Sequence, residues 1–269
     1  MSASDFCFSV GVREMKILLT NDDSIQAKGL AVLWSELKEI AEVVVVAPDR
    51  ERSATGHGIT MDIPLRAEKS YLFDGKAWAV NGTPADCVKL AVNCLLEEEP
   101  DLVIAGINRG SNLGVDIFYS GTVSGALEGI ILGFPAIAVS VTEYLNPDYR
   151  YAASFTRKLA PKVFEKGICK DTLLNINVPS IAPEEIQGVE ITRLGRRKYI
   201  NSFEERVDPR GKAYYWLGGD VVDSIDESSA RDTDVASISK RKVSVTPIQV
   251  DLTNYRAMET LRDFFDDLS

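Results

Sequence analysis

Short apolar runs separated by amphipathic stretches set the rhythm of this chain. Residues 17–20, 43–47, 102–105, 136–141 and 173–178 are apolar segments bounded by polar or turn residues. Parallel strands covered on both faces read this way. Between them, residues 30–40, 85–96, 123–132 and 149–164 place apolar side chains at three- and four-residue steps, as in Leu30, Leu33, Trp34 and Leu37. That spacing predicts helices with one buried stripe. The alternation predicts an α/β core over residues 15–185, doubly wound around a mostly parallel, Rossmann-like sheet in three layers.

The pattern changes after Pro179. Residues 193–226 alternate and are rich in aromatics, with a turn signal at Asp208-Pro209-Arg210-Gly211 between 203–207 and 213–217. This predicts an extended β-hairpin. Tyr214, Tyr215 and Trp216 are consecutive, so both faces of its second strand carry rings. Such a hairpin needs a surface to pack on, either the core or another subunit. Residues 233–242 read as a polar loop and 243–248 as a returning strand. Residues 186–250 therefore read as an arm, a loop and a returning strand. A closing helix follows within 251–269, with Leu261, Phe264, Phe265 and Leu268 on its apolar side. Residues 1–14 precede the first strand and receive no role.

Composition narrows the function. The 269 residues carry a net charge of −10, which opposes binding to a nucleic-acid duplex. The same field opposes any anionic substrate unless a cation or a local basic group reverses it at the site. Cys7, Cys87, Cys94 and Cys169 are widely spaced without a Cys-x-x-Cys pair. Cys87 and Cys94 share a helical face with Leu90 and Ala91, which predicts buried thiols. No apolar run approaches the roughly 18 residues of a spanning helix, and no secretory leader is recognised. A cytoplasmic protein without a membrane partner is expected.

Four polar clusters follow successive strands. The first, Asn21-Asp22-Asp23, sets two carboxylates side by side, and a bound cation relieves their repulsion. The same residues could simply cap the helix that follows. The second runs from Pro48 to Gly58. Arg50 and Arg52 are candidate anion contacts or a solvated salt-bridged loop, Ser53 is a candidate ligand, and His57, the only histidine, is a candidate for proton transfer or a plain loop residue. In the third, Gly106 to Gly114, Asn108 and Asn112 offer the neutral oxygens that hard cations accept. Its spacing matches neither a P-loop nor a dinucleotide fingerprint. The fourth, Ser120-Gly121-Thr122, opens a helix, as either a cap or a phosphate site. Thr83, within Asn81-Gly82-Thr83-Pro84-Ala85-Asp86, also stands where a strand passes into a helix, as a cap or a pocket lining.

These motifs together resemble the SurE (survival protein E) family of metal-dependent nucleotidases. The resemblance rests on Thr-Asn-Asp-Asp at 20–23, Ala-Pro-Asp-Arg-Glu-Arg-Ser-Ala-Thr-Gly-His at 47–57 and Gly-Thr-Pro-Ala-Asp-Cys-Val at 82–88. It continues in Gly-Ile-Asn-Arg-Gly-Ser-Asn-Leu-Gly at 106–114 and Ser-Gly-Thr-Val-Ser-Gly-Ala at 120–126. Leu-Asn-Ile-Asn-Val-Pro at 174–179 and Val-Ser-Val-Thr-Pro-Ile at 243–248 complete it.

The resemblance implies a phosphomonoesterase of nucleoside monophosphates that uses one divalent cation per subunit, magnesium or manganese. It implies metal ligands at Asp22, Asp23, Ser53 and Asn108, with the two aspartates catalytic. It places phosphate contact at Ser120, Gly121 and Thr122, while Asn21, Asn112 and Thr83 complete the expected substrate contacts. It also implies dimers or tetramers that exchange the hairpin and the C-terminal segment. Two departures stand out. Ser24 occupies a position where the family often has glycine, so a left-handed turn there would strain it. Gln249 replaces a histidine that some members carry, so no acid role passes to it. A nucleotide- or metal-binding module without turnover is the competing reading, and an aspartyl-phosphate mechanism through Asp22 is the competing chemistry.

Overall fold

A nine-stranded sheet organises the computed structural model, which describes residues 13–200, 203–218, 220–223 and 232–265. The expected N-terminal appendage therefore lies outside the described residues except for its last two positions, and so do Cys7 and Leu268. The chain begins β1 (Lys16–Thr20), α1 (Lys28–Leu37), β2 (Glu42–Pro48), β3 (Ala67–Ser70), β4 (Ala77–Val80) and α2 (Pro84–Leu90). It continues through β5 (Leu102–Arg109), α3 (Gly121–Ile131), β6 (Ala136–Val141), α4 (Arg150–Lys166) and β7 (Thr172–Val178). Then come β8 (Val189–Ile191), β9 (Arg197–Ile200), β10 (Phe203–Val207), β11 (Ala213–Leu217) and β12 (Asp220–Asp223). The last elements are α5 (Asp234–Ser239), β13 (Val243–Gln249) and α6 (Tyr255–Phe265).

The strand order is β3-β4-β2-β1-β5-β6-β7-β13-β8. β4, β2, β1, β5, β6 and β7 run parallel, while β3 and β13 pair antiparallel with β4 and β7. From β1 the chain builds outward through β2 to β4, then crosses back to β5 and builds the other way. The carboxyl ends of β1 and β5 thus flank the topological switch point, where open α/β sheets bind ligands.

Alternate residues of each central strand feed opposite layers. Ile17 and Leu19 face Leu30, Leu33, Leu37 and the α4 residues Ala152, Ala153 and Ala160. Leu18 packs on the other face with Cys87, Val88, Val123 and Ala126 of α2 and α3. The doubly wound, three-layer core expected from the apolar rhythm is present.

Several local expectations are corrected. The polar stretch 233–242 is not a loop, because Thr233 accepts the Ala236 N–H and starts α5. Cys94 is exposed rather than buried, because a π-helical turn over Ala91–Leu95 ends the α2 register. The β3–β4 hairpin at the sheet edge was not anticipated.

The hairpin is as expected, with Phe203 opposite Leu217 and Val207 opposite Ala213. A second ladder, β9 with β12, continues its base. Phe203, Tyr215, Trp216 and Leu217 are exposed, as are Met258, Leu261 and Phe264 of α6; the side chain of Phe265 lies outside the description. Neither apolar surface is packed on the core.

Asp234 locks this periphery to the centre. The fully buried carboxylate accepts the N–H groups of Gly114 and Gly195 at 2.7 Å each and of Val235 at 2.8 Å. Stranding a buried donor costs about 1–3 kcal/mol. Asp234→Ala should therefore lower the unfolding free energy by about 3 kcal/mol or more in urea titration, and a loss under about 1 kcal/mol would refute this anchor role.

Candidate active site

The first wall of the site is the turn after β1. Asn21 Nδ2 donates to the Ser24 carbonyl at 2.9 Å and the Ala27 N–H donates to the same oxygen at 3.1 Å. The turn closes with Ser24 at φ 93°, the left-handed conformation in which a serine costs about 1–2 kcal/mol. This tight reversal aims Asp22 at the start of α3. Its carboxylate is 5% exposed and accepts the Thr122 hydroxyl, with the Thr122 backbone N–H also favouring the ionised form. Gly121 lies so close that a Cβ there would sit 2.7 Å from Asp22 Cβ and 2.9 Å from Oδ2. Glycine at this position is a packing requirement.

The second wall is the end of β5. The register against β6 shifts between Ala105 and Asn108, which brings Asn108 and Arg109 to the rim. Asn108 Nδ2 donates to the Gly110 carbonyl at 2.8 Å, so its amide oxygen is the atom that could serve a cation. Arg109 Nε stands 3.7 Å from Asp23 Oδ1, and its Nη2 donates to Glu51 at 3.2 Å.

The third wall is the loop after β2. The Arg52 N–H donates to the Asp22 carbonyl at 2.8 Å, and its guanidinium donates to the Asn81 carbonyl. The next residue, Ser53, is exposed and donates to Glu51 at 2.7 Å. Further along, the Gly56 N–H donates to the Tyr119 carbonyl at 3.1 Å. His57 Nε2 meets Glu128 Oε2 at 2.9 Å, while Lys89 donates to the other oxygen of that buried carboxylate. The single histidine is thus tied to the flank of α3 in this structure.

Burial pushes Asp22 up from the ordinary 3.8 to about 6; the Thr122 hydrogen bond opposes this and the Asp23 charge adds to it. Burial raises Asp23 as well, against the N–H and guanidinium of Arg109 and with the help of Glu51. Among the described residues no basic side chain pairs with Asp22, and Asn21 Oδ1 is buried without a partner. A cation fits this deficit. Among the described residues no three His, Cys, Asp or Glu side chains cluster to hold one. The donors the site could offer a cation are two carboxylates with neutral oxygens, a set suited to a hard ion.

Of the residues singled out in the sequence, Asp22, Gly121 and Thr122 are in contact. Asp23 and Asn108 share their rim with Arg109, and Ser53 follows the residue bonded to the Asp22 carbonyl. Ser120 caps α3 by accepting the Val123 N–H at 3.1 Å. Thr83 caps α2 in a reciprocal box with Asp86 and donates to the Gly58 carbonyl. Asn112 is buried, donating from Nδ2 to Ser140 and from its N–H to Asn177 Oδ1, while its carbonyl accepts from Asn175 and Asn177. These bonds hold the loop after β5 onto β6 and β7.

Arg50 is exposed beside Asp49. Arg109 and Glu128 escaped the sequence reading, although Arg109 stands inside one of the quoted motifs, and Glu51 was read only as part of a solvated salt-bridged loop. So did Asp116, which accepts from Arg197 and Tyr199 of β9 at 2.7 Å each, while its carbonyl takes the Tyr119 and Ser120 N–H groups.

Residues 17–201 match the family model described as Survival protein SurE. The chain belongs to the SurE family. Among its relatives, a "5'-nucleotidase SurE" of Heliobacterium modesticaldum is 52% identical over 252 residues, spanning 93% of this chain and 92% of that protein. Another of that name, from Natranaerobius thermophilus, is 52% identical over 266 residues, spanning 94% and 100%. The crystal structure of the SurE protein from Aquifex aeolicus superposes with a TM-score of 0.81 at 42% identity, covering 93% of this chain and all of that one. Of the motifs quoted above, those at 20–23, 106–114 and 47–57 form the three walls described.

The raised Asp22 pKa carries a stability consequence for the metal-free SurE fold. The folded value of about 6 exceeds the ordinary 3.8, so the ionised form destabilises the fold at pH 7, by at most about 3 kcal/mol. Asp22→Asn should raise the melting temperature in EDTA at pH 7. The gain should shrink as pH falls through 6 and vanish below about pH 4; equal melting temperatures at pH 7 would contradict the burial argument.

Proposed function

We infer that this chain hydrolyses nucleoside monophosphates to nucleoside and inorganic phosphate, as a divalent-metal-dependent 5'-nucleotidase of the SurE type. The observation that carries the reading is the buried Asp22 carboxylate lodged against the start of α3 with Asp23 beside it. The near-full-length relatives named 5'-nucleotidase support it.

Asp22, Asp23, Ser53 and Asn108 would together hold one cation, magnesium or manganese, which when bound supplies a Lewis acid for a phosphoryl oxygen and water of lowered pKa. The start of α3 supplies the rest of the phosphate cradle. Its positive end and the N–H of Gly121 face a dianion favourably, and the Ser120 hydroxyl keeps its proton to donate. Thr122 fastens Asp22 and so sets where that carboxylate stands. Asp23, less buried and steadied by Arg109, orients and deprotonates the attacking water. Asn21 and Asn112 shape the two strand-end turns that frame the substrate, and Thr83 shapes the adjoining start of α2.

The exposed apolar faces of the hairpin and of α6 support self-association into a dimer or tetramer. Among the described residues no helix is long and apolar enough to cross a membrane. The exposed, unbridged Cys94 and Cys169 suit a reducing cytoplasm.

Asp22→Asn should lose at least about a thousandfold in manganese-dependent release of phosphate from nucleoside monophosphates, with circular dichroism unchanged. EDTA should silence the wild type. Near-wild-type, EDTA-sensitive turnover by the variant would overturn the assignment. Deleting the hairpin tip, residues 203–217, should reduce the mass found by light scattering; an unchanged multimer would remove the arm from the assembly.

A further inference from the structure

Beyond the strand-end walls, the loop after β6 presents an aromatic ring to the same crevice. Tyr144 is 56% exposed, and Arg109 covers one face of its ring with the guanidinium carbon 4.7 Å from the centroid. Arg109 is also the residue that reaches Asp23 at 3.7 Å. The ring therefore stands one side chain away from the paired carboxylates, with more than half of the residue exposed.

The loop that carries the ring is built to hold still. Glu143 Oε1 accepts the N–H groups of both Tyr144 and Leu145 at 2.8 Å. The Glu143 carbonyl accepts the Gly110 N–H at 3.2 Å, and its own N–H donates to Ser180 Oγ at 3.2 Å. Loops after β5, β6 and β7 are thus cross-bonded around a ring displayed to water. A fixed, exposed aromatic beside a charged site is poorly explained by packing and well explained by a ligand that stacks on it.

We propose that Tyr144 is the platform on which the nucleobase of the substrate stacks while its phosphate rests at the start of α3. The proposal depends on the nucleotidase reading and extends it from the phosphate to the base. Every nucleobase has a π-face, so stacking admits all of them and favours the larger purines. The guanidinium behind the ring strengthens the platform from its covered side. Phe118 and Tyr119 are also exposed, but they precede α3 directly and flank the phosphate end.

The test compares adenosine 5'-monophosphate, uridine 5'-monophosphate and ribose 5-phosphate, each with manganese, on the full chain and on Tyr144→Ala, Tyr144→Phe and Tyr119→Ala. Tyr144→Ala should raise KM for the adenine nucleotide about tenfold and for the uracil nucleotide less. It should leave ribose 5-phosphate within about twofold, and Tyr144→Phe should behave as wild type. An equal loss on the baseless phosphate, no loss on either nucleotide, or the same selective loss in Tyr119→Ala would overturn the platform. A wild type inactive on all three phosphates would overturn the nucleotidase reading instead.

Discussion

Two adjacent carboxylates held out of water are the constraint around which the other parts of this protein are arranged. A buried anion is costly unless charge or hydrogen bonds compensate it. The protein supplies part of that compensation itself. The start of α3 turns its positive end and the Thr122 hydroxyl toward Asp22, and Arg109 stands near Asp23. The remainder is left unmet, as the upward shift of both acids records. In a chain of net charge −10, that deficit is the local feature that makes the crevice receptive to positive charge, and through it to a phosphate.

Holding the pair in place takes three loops that are bonded to one another. Arg52 joins the loop after β2 to the turn after β1. Thr60 reaches Asp86 through both its N–H and its hydroxyl, and the bonds to Asp86 outweigh its burial and keep it readily ionised. Asn112 sews the loop after β5 to β6 and β7. Loops so connected behave as a single frame, which keeps reacting groups in fixed relative positions. Asp116 carries the same frame outward to β9, the root of the hairpin arm.

The core was legible in the sequence because burial on both faces forces long apolar strands and periodic helices, and those signals are local. The polar clusters after successive strands followed from that rhythm, whereas the switch point between β1 and β5 required the strand order itself. Ser24 was flagged as a strained position because the family it resembles often has glycine there, and its φ of 93° agrees. Other features were illegible for identifiable reasons. α5 has only six residues, too few for a helical period to show, so its cap was the only local signal. Cys94 needed the π turn, which depends on packing rather than periodicity. Arg109, Glu51 and Tyr144 meet through side chains from the end of β5 and two separate loops, a coincidence that no spacing along the chain encodes. Ser120, Thr83 and Asn112 each carry a structural bond that a motif cannot distinguish from ligand contact.

The contact between Gly121 and Asp22 divides the crevice into two zones of very different tolerance. At the base, a single methyl group would collide with the carboxylate, so nineteen of the twenty amino acids are barred by volume before chemistry is considered. At the mouth, side chains such as Tyr144 and Phe118 are more than half exposed and meet no such collision. Efforts to redirect this protein toward other phosphate esters therefore have a fixed floor and a replaceable lip, and diversity belongs in the lip.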